Sequence, residues 1–399
     1  MIGQLAENFC KKDATWLIKQ NLKFSGRPMN AQTRISASLI FVCFFIILAV
    51  LVFIFFARPY LDGESDIRWG ADSLDYIYYY QHAGLDQTLI QLGQNLFGPL
   101  AILQIVDGNH LGVLGINIAI YIIAWFVIVK NVEVNKLILF FALALNPMLF
   151  VSMLAVNKEI ISFLVISLYA AYLSQDRFHW LILALVAAIF VRWQNVFIIL
   201  IFELIRSPLN PLRTRRLTFL FLFVIGISII YPSFDAQLGG VTTEMVDEQQ
   251  ASTTFGLLEV ANNIQRNYGY FIVVIPKVFS NWFGNLPRVG NLFINLGEFD
   301  VSDIYNTFVV TGHQAAMTII FLILIFKKRL LLSNDLVFFS IIYSVVYSLG
   351  MFIQYRYYFP VYIAFCIVLS QKHWNNNGCL SGTYKKIPIL NKFAIQKDM

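Results

Sequence analysis

Charged side chains are scarce in this chain. Asp, Glu, Lys and Arg make up 13% of the 399 residues, whereas hydrophobic residues make up 58%. Soluble domains carry about 25% charged residues, so the composition excludes an ordinary soluble enzyme and indicates that lipid surrounds most of the chain. Aromatic residues reach 16%, with 37 Phe and 19 Tyr, which excludes a disordered or collagen-like chain.

Cysteine and the common nucleotide and hydrolase motifs are also sparse or missing. The four cysteines form no CxxC pair, which argues against a disulfide framework or a structural zinc site. The sequence contains no P-loop, GxGxxG, GxSxG or HExxH motif, so ATP hydrolysis and nicotinamide chemistry have no support. The formal net charge is +6, but the positions of the charges matter more than their sum, and we expect no nucleic-acid partner.

Apolar runs predict an all-α polytopic membrane protein with about ten transmembrane helices, some of them short or re-entrant. The runs divide the chain into an N-terminal tail at 1–35, a membrane domain at 36–370 and a C-terminal tail at 371–399. The candidate helices lie at roughly 36–57, 111–130, 136–153, 160–174, 178–191, 194–206, 217–232, 314–326, 336–353 and 357–370.

The distribution of basic residues predicts the orientation. With both termini in the cytoplasm, 21 of the 29 Lys and Arg residues fall inside, and the reverse orientation would leave eight there. Because cytoplasmic loops carry the excess of Lys and Arg, an N-in, C-in topology is favoured. The eight basic residues assigned to the outside are Arg58, Arg68, Lys158, Arg192, Arg266, Lys277, Arg288 and Arg356.

Two outer segments are too long to be simple connections. The first, about 58–110, is acidic and rich in Tyr, with a short re-entrant or interfacial helix expected near 95–106. The second, about 233–313, contains an aromatic stretch at 268–286, for which we expect a position along the membrane surface with Trp282 as an interfacial anchor.

The first outer segment holds the strongest candidate for catalysis. Asp72 and Asp75 are three residues apart, and a helix beginning near Ser73 would place both carboxylates on one face, with Asp72 as its N-cap. Two carboxylates at a bilayer surface can act as a general base, or can hold Mg²⁺ or Mn²⁺ against a phosphate. The alternative is a solvated acidic loop with an ordinary N-cap.

A second candidate is the tripeptide Asn157-Lys158-Glu159, placed where an outward helix turns back. Lysine at such a turn can bind a phosphate, and glutamate can orient a hydroxyl group. The alternative is a loop charge pair without a ligand.

Two isolated arginines complete the set. Arg192 lies between two apolar halves that predict a buckled pair of half-helices, and Arg356 lies beside Tyr357 in an aromatic stretch. Cations are costly at membrane depth and usually face a cavity, a partner or a substrate, and the arginine fork suits a diphosphate. The alternative is snorkelling of the side chains to the outer headgroups.

Together these residues resemble the signature of polytopic C-type (GT-C) glycosyltransferases over roughly 36–370. The resemblance is carried by an acidic outer motif followed by Tyr76, Tyr79 and Ala83, a Pro147 helix leading to the Lys-Glu turn, the Arg192 apex and a late Arg356-Tyr357…Pro360. In size and helix number the chain also resembles bacterial O-antigen and capsule repeat-unit polymerases.

The resemblance implies glycosyl transfer from polyprenyl-(di)phosphate-linked sugars at the outer leaflet of the bacterial inner membrane, often with a divalent metal. Other membrane proteins of surface polysaccharide assembly would then be partners, alongside the lipid bilayer and the lipid-linked saccharide. The implied roles are catalysis or metal binding by Asp72 or Asp75; phosphate binding by Lys158, Arg192 and Arg356; and substrate orientation by Asn157, Glu159, Tyr76 and Tyr357. The competing interpretations are a transporter or flippase of lipid-linked sugars and a non-catalytic assembly protein.

Overall fold

The computed structural model describes residues 31–65, 72–82, 96–250, 255–284, 305–350 and 355–372. Within these ranges the regular structure is helical, apart from an isolated backbone bridge between Val134 and Gln371. The chain separates into two units, residues 1–45 and 46–399, and the contacts reported below lie within the second. In the first unit the described residues are the beginning of a helix.

The α-helices are numbered here in chain order. They are α1 (Ala31–Val52), α2 (Ser73–His82), α3 (Phe97–Ile105), α4 (His110–Asn131), α5 (Lys136–Ala144), α6 (Pro147–Leu154), α7 (Lys158–Gln175), α8 (Phe178–Val191), α9 (Trp193–Arg206), α10 (Arg216–Gln250), α11 (Phe255–Ile264), α12 (Tyr270–Phe283), α13 (Thr311–Phe326), α14 (Asp335–Tyr347) and α15 (Phe359–Ser370). Alpha-helical turns continue α1 over Arg58–Leu61, and a 3₁₀ turn at Tyr355–Tyr358 precedes α15. The π-helical turns lie at Phe53–Ala57, Gln265–Gly269 and Tyr305–Val310.

Asparagine starts many of these helices. Its side-chain oxygen accepts hydrogen bonds from first-turn N–H groups that have no partner within the helix, which explains the preference for this residue at the N-cap. At α6 the cap is followed by Pro147, whose fixed φ suits the first helical position. The asparagine caps of α4, α5, α6, α7 and α14 are Asn109, Asn135, Asn146, Asn157 and Asn334.

Among the described residues, four helices are long and apolar enough to cross a bilayer: Ala37–Leu61, His110–Asn131, Arg216–Ser233 and Phe308–Phe326. The pair α5 and α6, bent by 75° at Asn146, adds a fifth if the two form one broken span. The other segments expected to span are also helical; most are shorter, and the 18-residue α7 has the length but is not among the segments that meet the criteria for a span. The chain is therefore an α-helical membrane protein, and the described residues show four or five of the roughly ten expected crossings by length and composition.

The span expected at 217–232 corresponds to the candidate membrane-crossing segment Arg216–Ser233, within a helix that continues through Pro232 to Gln250. One local expectation is wrong. Trp282 is not an interfacial anchor: it is 6% exposed, its ring packs against Phe321 and Phe365, and its indole N–H donates to Ser344 Oγ at 3.2 Å. An aromatic run adjacent to a long polar segment resembles a surface helix in sequence, but here the face that carries Trp282 packs against α13 and α14, and its ring contacts Phe365 of α15.

The centre of the protein is formed by α7 and α15. All twelve residues of α15 are buried, and α7 packs against α4, α8 and α15. The short helix α3 lies beside the end of α8 because residue 98 is glycine: a Cβ atom there would sit 1.8 Å from the Phe190 carbonyl oxygen. The beginnings of α7 and α15 and the end of α8 carry the residues of the candidate site.

Candidate functional site

An ion pair joins the start of α2 to the turn before α15. Asp72 immediately precedes α2, and its carbonyl oxygen accepts the Tyr76 N–H at 2.9 Å. Its side-chain Oδ2 accepts hydrogen bonds from Arg356 Nη1 at 2.7 Å and from the Tyr76 hydroxyl at 3.0 Å. The Asp72 and Arg356 side chains are 27% and 21% exposed. Two segments far apart in sequence are thus held together by a partly buried, charge-assisted contact.

The surroundings fix the protonation states of this pair. Burial alone would raise the pKa of the Asp72 carboxyl, but the Arg356 guanidinium, the Tyr76 hydroxyl and the Lys158 ammonium together bring it below its ordinary value of 3.8. Burial raises the pKa of Tyr76 well above 10. At neutral pH, Asp72 is therefore ionised and Tyr76 keeps its proton to donate.

The start of α7 lies against α2. Asn157 caps α7 by accepting the Lys158 N–H at 2.7 Å, and the buried Lys158 ammonium lies 5.3 Å from the centroid of the Tyr76 ring. The Ser73 hydroxyl donates to the Val156 carbonyl at 3.1 Å, which ties α2 to the same turn. The Lys-Glu turn predicted from the sequence is thereby brought next to the acidic motif.

Arg192 reaches the same place from another direction. It lies between α8 and α9 in an extended conformation, with φ −163° and ψ 128°, so the predicted break in a pair of half-helices is confirmed. Its guanidinium carbon lies 3.4 Å from the centroid of the Tyr357 ring, and that of Arg356 lies 5.7 Å from the same ring. Tyr357 therefore makes cation–π contacts with two arginines.

Sequence reasoning missed the tyrosines that support this stack. The Tyr347 ring lies edge-on to Tyr357 at 5.7 Å and stacks on Tyr343 at 4.5 Å. The Tyr347 and Tyr343 hydroxyls both donate to Asn195 Oδ1, at 2.7 Å and 3.2 Å. The available signal was their spacing, since tyrosines four residues apart on a helix share one face with each other.

A buried carboxylate completes the cluster. Glu159, the second residue of α7, is 4% exposed. It interacts electrostatically with Tyr76, Lys158 and Arg192. Its Oε2 atom accepts no hydrogen bond from any described residue.

The structure thus brings together most of the residues predicted from the sequence, but it separates the two aspartates. Asp75 is exposed on the first turn of α2, whereas Asp72 is paired with Arg356. The residues brought together are Asp72, Tyr76, Asn157, Lys158, Glu159, Arg192, Arg356 and Tyr357. Their three cations outnumber their two carboxylates, an arrangement that suits an anionic ligand.

A divalent metal does not fit this arrangement. In the described part of the chain, no three His, Cys, Asp or Glu side chains are grouped to hold a metal ion. The Asp72 carboxylate is already neutralised by Arg356, and Lys158 adds a further positive charge nearby. Asp75 faces away into an exposed position. We therefore assign no step to Mg²⁺ or Mn²⁺.

Lys277 is a further buried cation, outside this cluster, that the sequence did not single out. It is 3% exposed, and its ammonium donates to Asn262 Oδ1 at 3.0 Å, Gln265 Oε1 at 2.6 Å and the Gly350 carbonyl at 2.9 Å. Gln265 in turn donates to the Leu349 carbonyl at 2.8 Å. These contacts fix α11 and α12 to the turn that follows α14, at Leu349 and Gly350.

A separate charged network lies at the other ends of α7 and α9. Glu203 accepts hydrogen bonds from the Tyr169 and Tyr172 hydroxyls at 2.7 Å and 2.9 Å, and Arg206 bridges Glu203 and Asp335 at 3.2 Å each. Arg216, at the start of α10, also pairs with Asp335. All of these groups have charged or hydroxyl partners, so the network acts as a structural tie between α7, α9, α10 and α14.

Comparison of the chain with protein-family models, with curated proteins and with solved structures gives no match.

Proposed function

We propose that the protein is an integral-membrane glycosyltransferase that uses a polyprenyl-(di)phosphate-linked sugar in surface polysaccharide synthesis, as a repeat-unit polymerase. The observation that carries the proposal is the convergence of Lys158, Arg192 and Arg356 around Tyr357 and Tyr76. Arginine forks bind phosphate oxygens in pairs, and aromatic faces stack on sugars. A polyprenyl-(di)phosphate-linked sugar carries both a phosphate group and a sugar ring.

The chemistry of transfer assigns roles to these side chains. As the bond between the anomeric carbon and the phosphate oxygen breaks, negative charge develops on the leaving phosphate, and the three cations stabilise it. The acceptor hydroxyl must lose its proton to a carboxylate. Asp72 and Asp75 are the carboxylates predicted from the sequence, and Glu159 is a third in the same region.

The topology proposed with this function is N-in and C-in, in the bacterial inner membrane, with ten crossings that include the shorter helices. Helix α7 has 18 residues and is about 27 Å long at 1.5 Å per residue, close to the hydrocarbon thickness. Its two ends carry the candidate site and the Glu203 network, so polar clusters lie where the two membrane surfaces would be. The positive-inside rule puts the candidate site outside.

The test uses the purified full-length protein in lipid nanodiscs with a polyprenyl-diphosphate-linked oligosaccharide. We expect the lipid-linked donor to be consumed and longer saccharides to appear. Arg356→Ala should reduce transfer by about 30-fold to several thousand-fold, the range expected when about 2–5 kcal/mol of a charge-assisted contact is lost. Arg356→Lys should restore part of the rate, because lysine supplies charge without the fork.

The matched control is Arg58→Ala. Arg58 is an exposed arginine that pairs with Asp62, and its loss should leave transfer unchanged. Equal activity of wild type and Arg356→Ala would contradict the proposal. Movement of the lipid-linked saccharide across the membrane without formation of a new glycosidic bond would replace it with a transporter.

A further inference from the structure

Glu159 is a buried carboxylate with an unused oxygen. The residue is 4% exposed, and Oε2 accepts no hydrogen bond from any residue that the structure describes. Leaving a buried charged acceptor without a partner costs the desolvation free energy of that group. A side chain retained at this cost is explained if a ligand supplies the missing donor.

The unused oxygen belongs to the cationic cluster. The Glu159 carboxylate interacts electrostatically with the Lys158 ammonium, the Arg192 guanidinium and the Tyr76 hydroxyl. The phosphate-binding cations and this carboxylate therefore share one site, and a ligand bound by the cations through its phosphate lies close to Glu159.

Asp72 is less suited to remove a proton. Its Oδ2 already accepts hydrogen bonds from both Arg356 and Tyr76. The Arg356 contact stabilises the carboxylate relative to the protonated acid, which weakens it as a base. Asp75 is exposed at the first turn of α2 and has no part in the described cluster of cations. Asp72 is thus a positioning residue for Arg356.

We propose that Glu159 is the group that accepts the proton of the acceptor hydroxyl, an assignment that rests on the glycosyltransferase function proposed above. The hydroxyl oxygen forms a bond to the anomeric carbon of the donor, and its proton passes to Glu159 Oε2. The anomeric carbon–oxygen bond to the phosphate breaks, and its electron pair stays on the phosphate next to Lys158 and Arg192. Glu159 then returns the proton to water.

The experiment compares Glu159→Gln with wild type in nanodiscs containing the lipid-linked donor. Loss of a general base typically costs about 10²–10⁴-fold in rate, so we expect kcat to fall by that factor while the donor KM stays near the wild-type value. Glu64→Gln makes the same chemical change at an exposed residue outside the site and should leave the rate unchanged.

Chemical rescue separates a proton acceptor from a merely structural residue. Azide is an anion and needs no base, so in Glu159→Gln it should attack the anomeric carbon directly, forming a glycosyl azide and free lipid diphosphate. In Glu159→Ala, which leaves space for a small carboxylate, formate should restore transfer to the natural acceptor. Neither anion should rescue Arg356→Ala, because that variant lacks the phosphate contact.

The outcomes distinguish this proposal from the one on which it rests. No transfer by the wild-type protein contradicts the proposed function itself. Wild-type kcat in Glu159→Gln, with wild-type transfer intact, overturns the role of Glu159 alone. A low rate that neither azide nor formate improves also overturns it. If the Gln variant fails to accumulate, the Ala variant with formate decides the question by the same criterion.

Discussion

The contact between Asp72 and Arg356 should be measurable as a coupling free energy, independently of any substrate. We expect Asp72→Asn and Arg356→Gln to destabilise the protein separately, and the double variant to lose less than the sum of the two. Asparagine and glutamine keep polar side chains of suitable shape while removing the charges. The measurement is thermal unfolding of the four proteins in the same detergent, followed by a double-mutant cycle.

The structure sets the size of this coupling. Hydrogen bonds to charged groups contribute about 1.5–3 kcal/mol, whereas exposed ion pairs contribute about 0.2–1 kcal/mol. With side chains 27% and 21% exposed and a donor–acceptor distance of 2.7 Å, the pair lies between these cases. We therefore expect a coupling of about 1–2 kcal/mol, or a non-additivity of roughly 1–2 °C in the unfolding temperature of a chain of this length.

Asp75 provides the matched control. It carries the same carboxylate three residues away, but is exposed, so Asp75→Asn combined with Arg356→Gln should be additive within about 0.3–0.5 kcal/mol. A coupling for Asp72 no larger than that for Asp75 would refute the pairing.

The pH dependence gives a second check on the same pair. The pKa of Asp72 in the folded protein lies below its ordinary value of 3.8, so the ionised carboxylate stabilises the fold at all pH values above 3.8. That contribution disappears as the pH falls through the folded-state pKa. The difference in stability between wild type and Asp72→Asn should therefore be full at pH 7 and shrink only below pH 3.8.

Three further predictions follow from topology, packing and burial. In a background without native cysteines, Asp75→Cys should react with an impermeant thiol reagent from outside and Thr214→Cys should not; the opposite pattern contradicts the N-in orientation. Gly98→Ala should destabilise the protein by about 1–3 kcal/mol in the same unfolding assay, because the added Cβ would lie 1.8 Å from the Phe190 carbonyl oxygen. Gly115→Ala adds a Cβ into open space and should stabilise the protein by about 0.4–1 kcal/mol. Burial lowers the pKa of Lys277 from 10.5 to about 7. Between these two pH values the unfolded chain binds more protons than the folded protein. The free energy of unfolding of the wild type should therefore rise with pH in this window, by up to about 1.4 kcal/mol per pH unit. A Lys277→Gln variant with the same slope of unfolding temperature against pH as wild type would refute this assignment.

The helices and several of their boundaries could be predicted from the sequence because they depend on local chemistry. A run of apolar residues favours a helix in lipid wherever the rest of the chain lies, since only the helix pairs its own backbone groups. Pro147 after Asn146, and the Asn157 cap, define helix starts through contacts within a few residues, although we expected a single helix over 136–153. The break at Arg192 is likewise local, since a cation interrupts the apolar run there.

Helix length and surface exposure were less predictable. Helix α10 continues past Pro232 although proline lacks the N–H that an interior helical position donates. The burial of Trp282 depends on which neighbours cover its segment. Composition alone does not distinguish an aromatic helix at the membrane surface from one buried inside the protein, because both environments favour apolar side chains.

The sequence alone determined that the chain is a helical membrane protein. It also showed which charged residues lie in apolar surroundings, where placing a charge costs free energy and therefore suggests a functional site. Only the tertiary structure decided how those residues pair. Asp72 and Asp75 are near-equivalent in sequence, yet one contacts Arg356 and the other is exposed. The unused oxygen of Glu159 and the three hydrogen bonds of Lys277 likewise arise where several helices meet. Apolar pattern and capping act over a few residues, whereas these contacts depend on packing between segments that are distant along the chain.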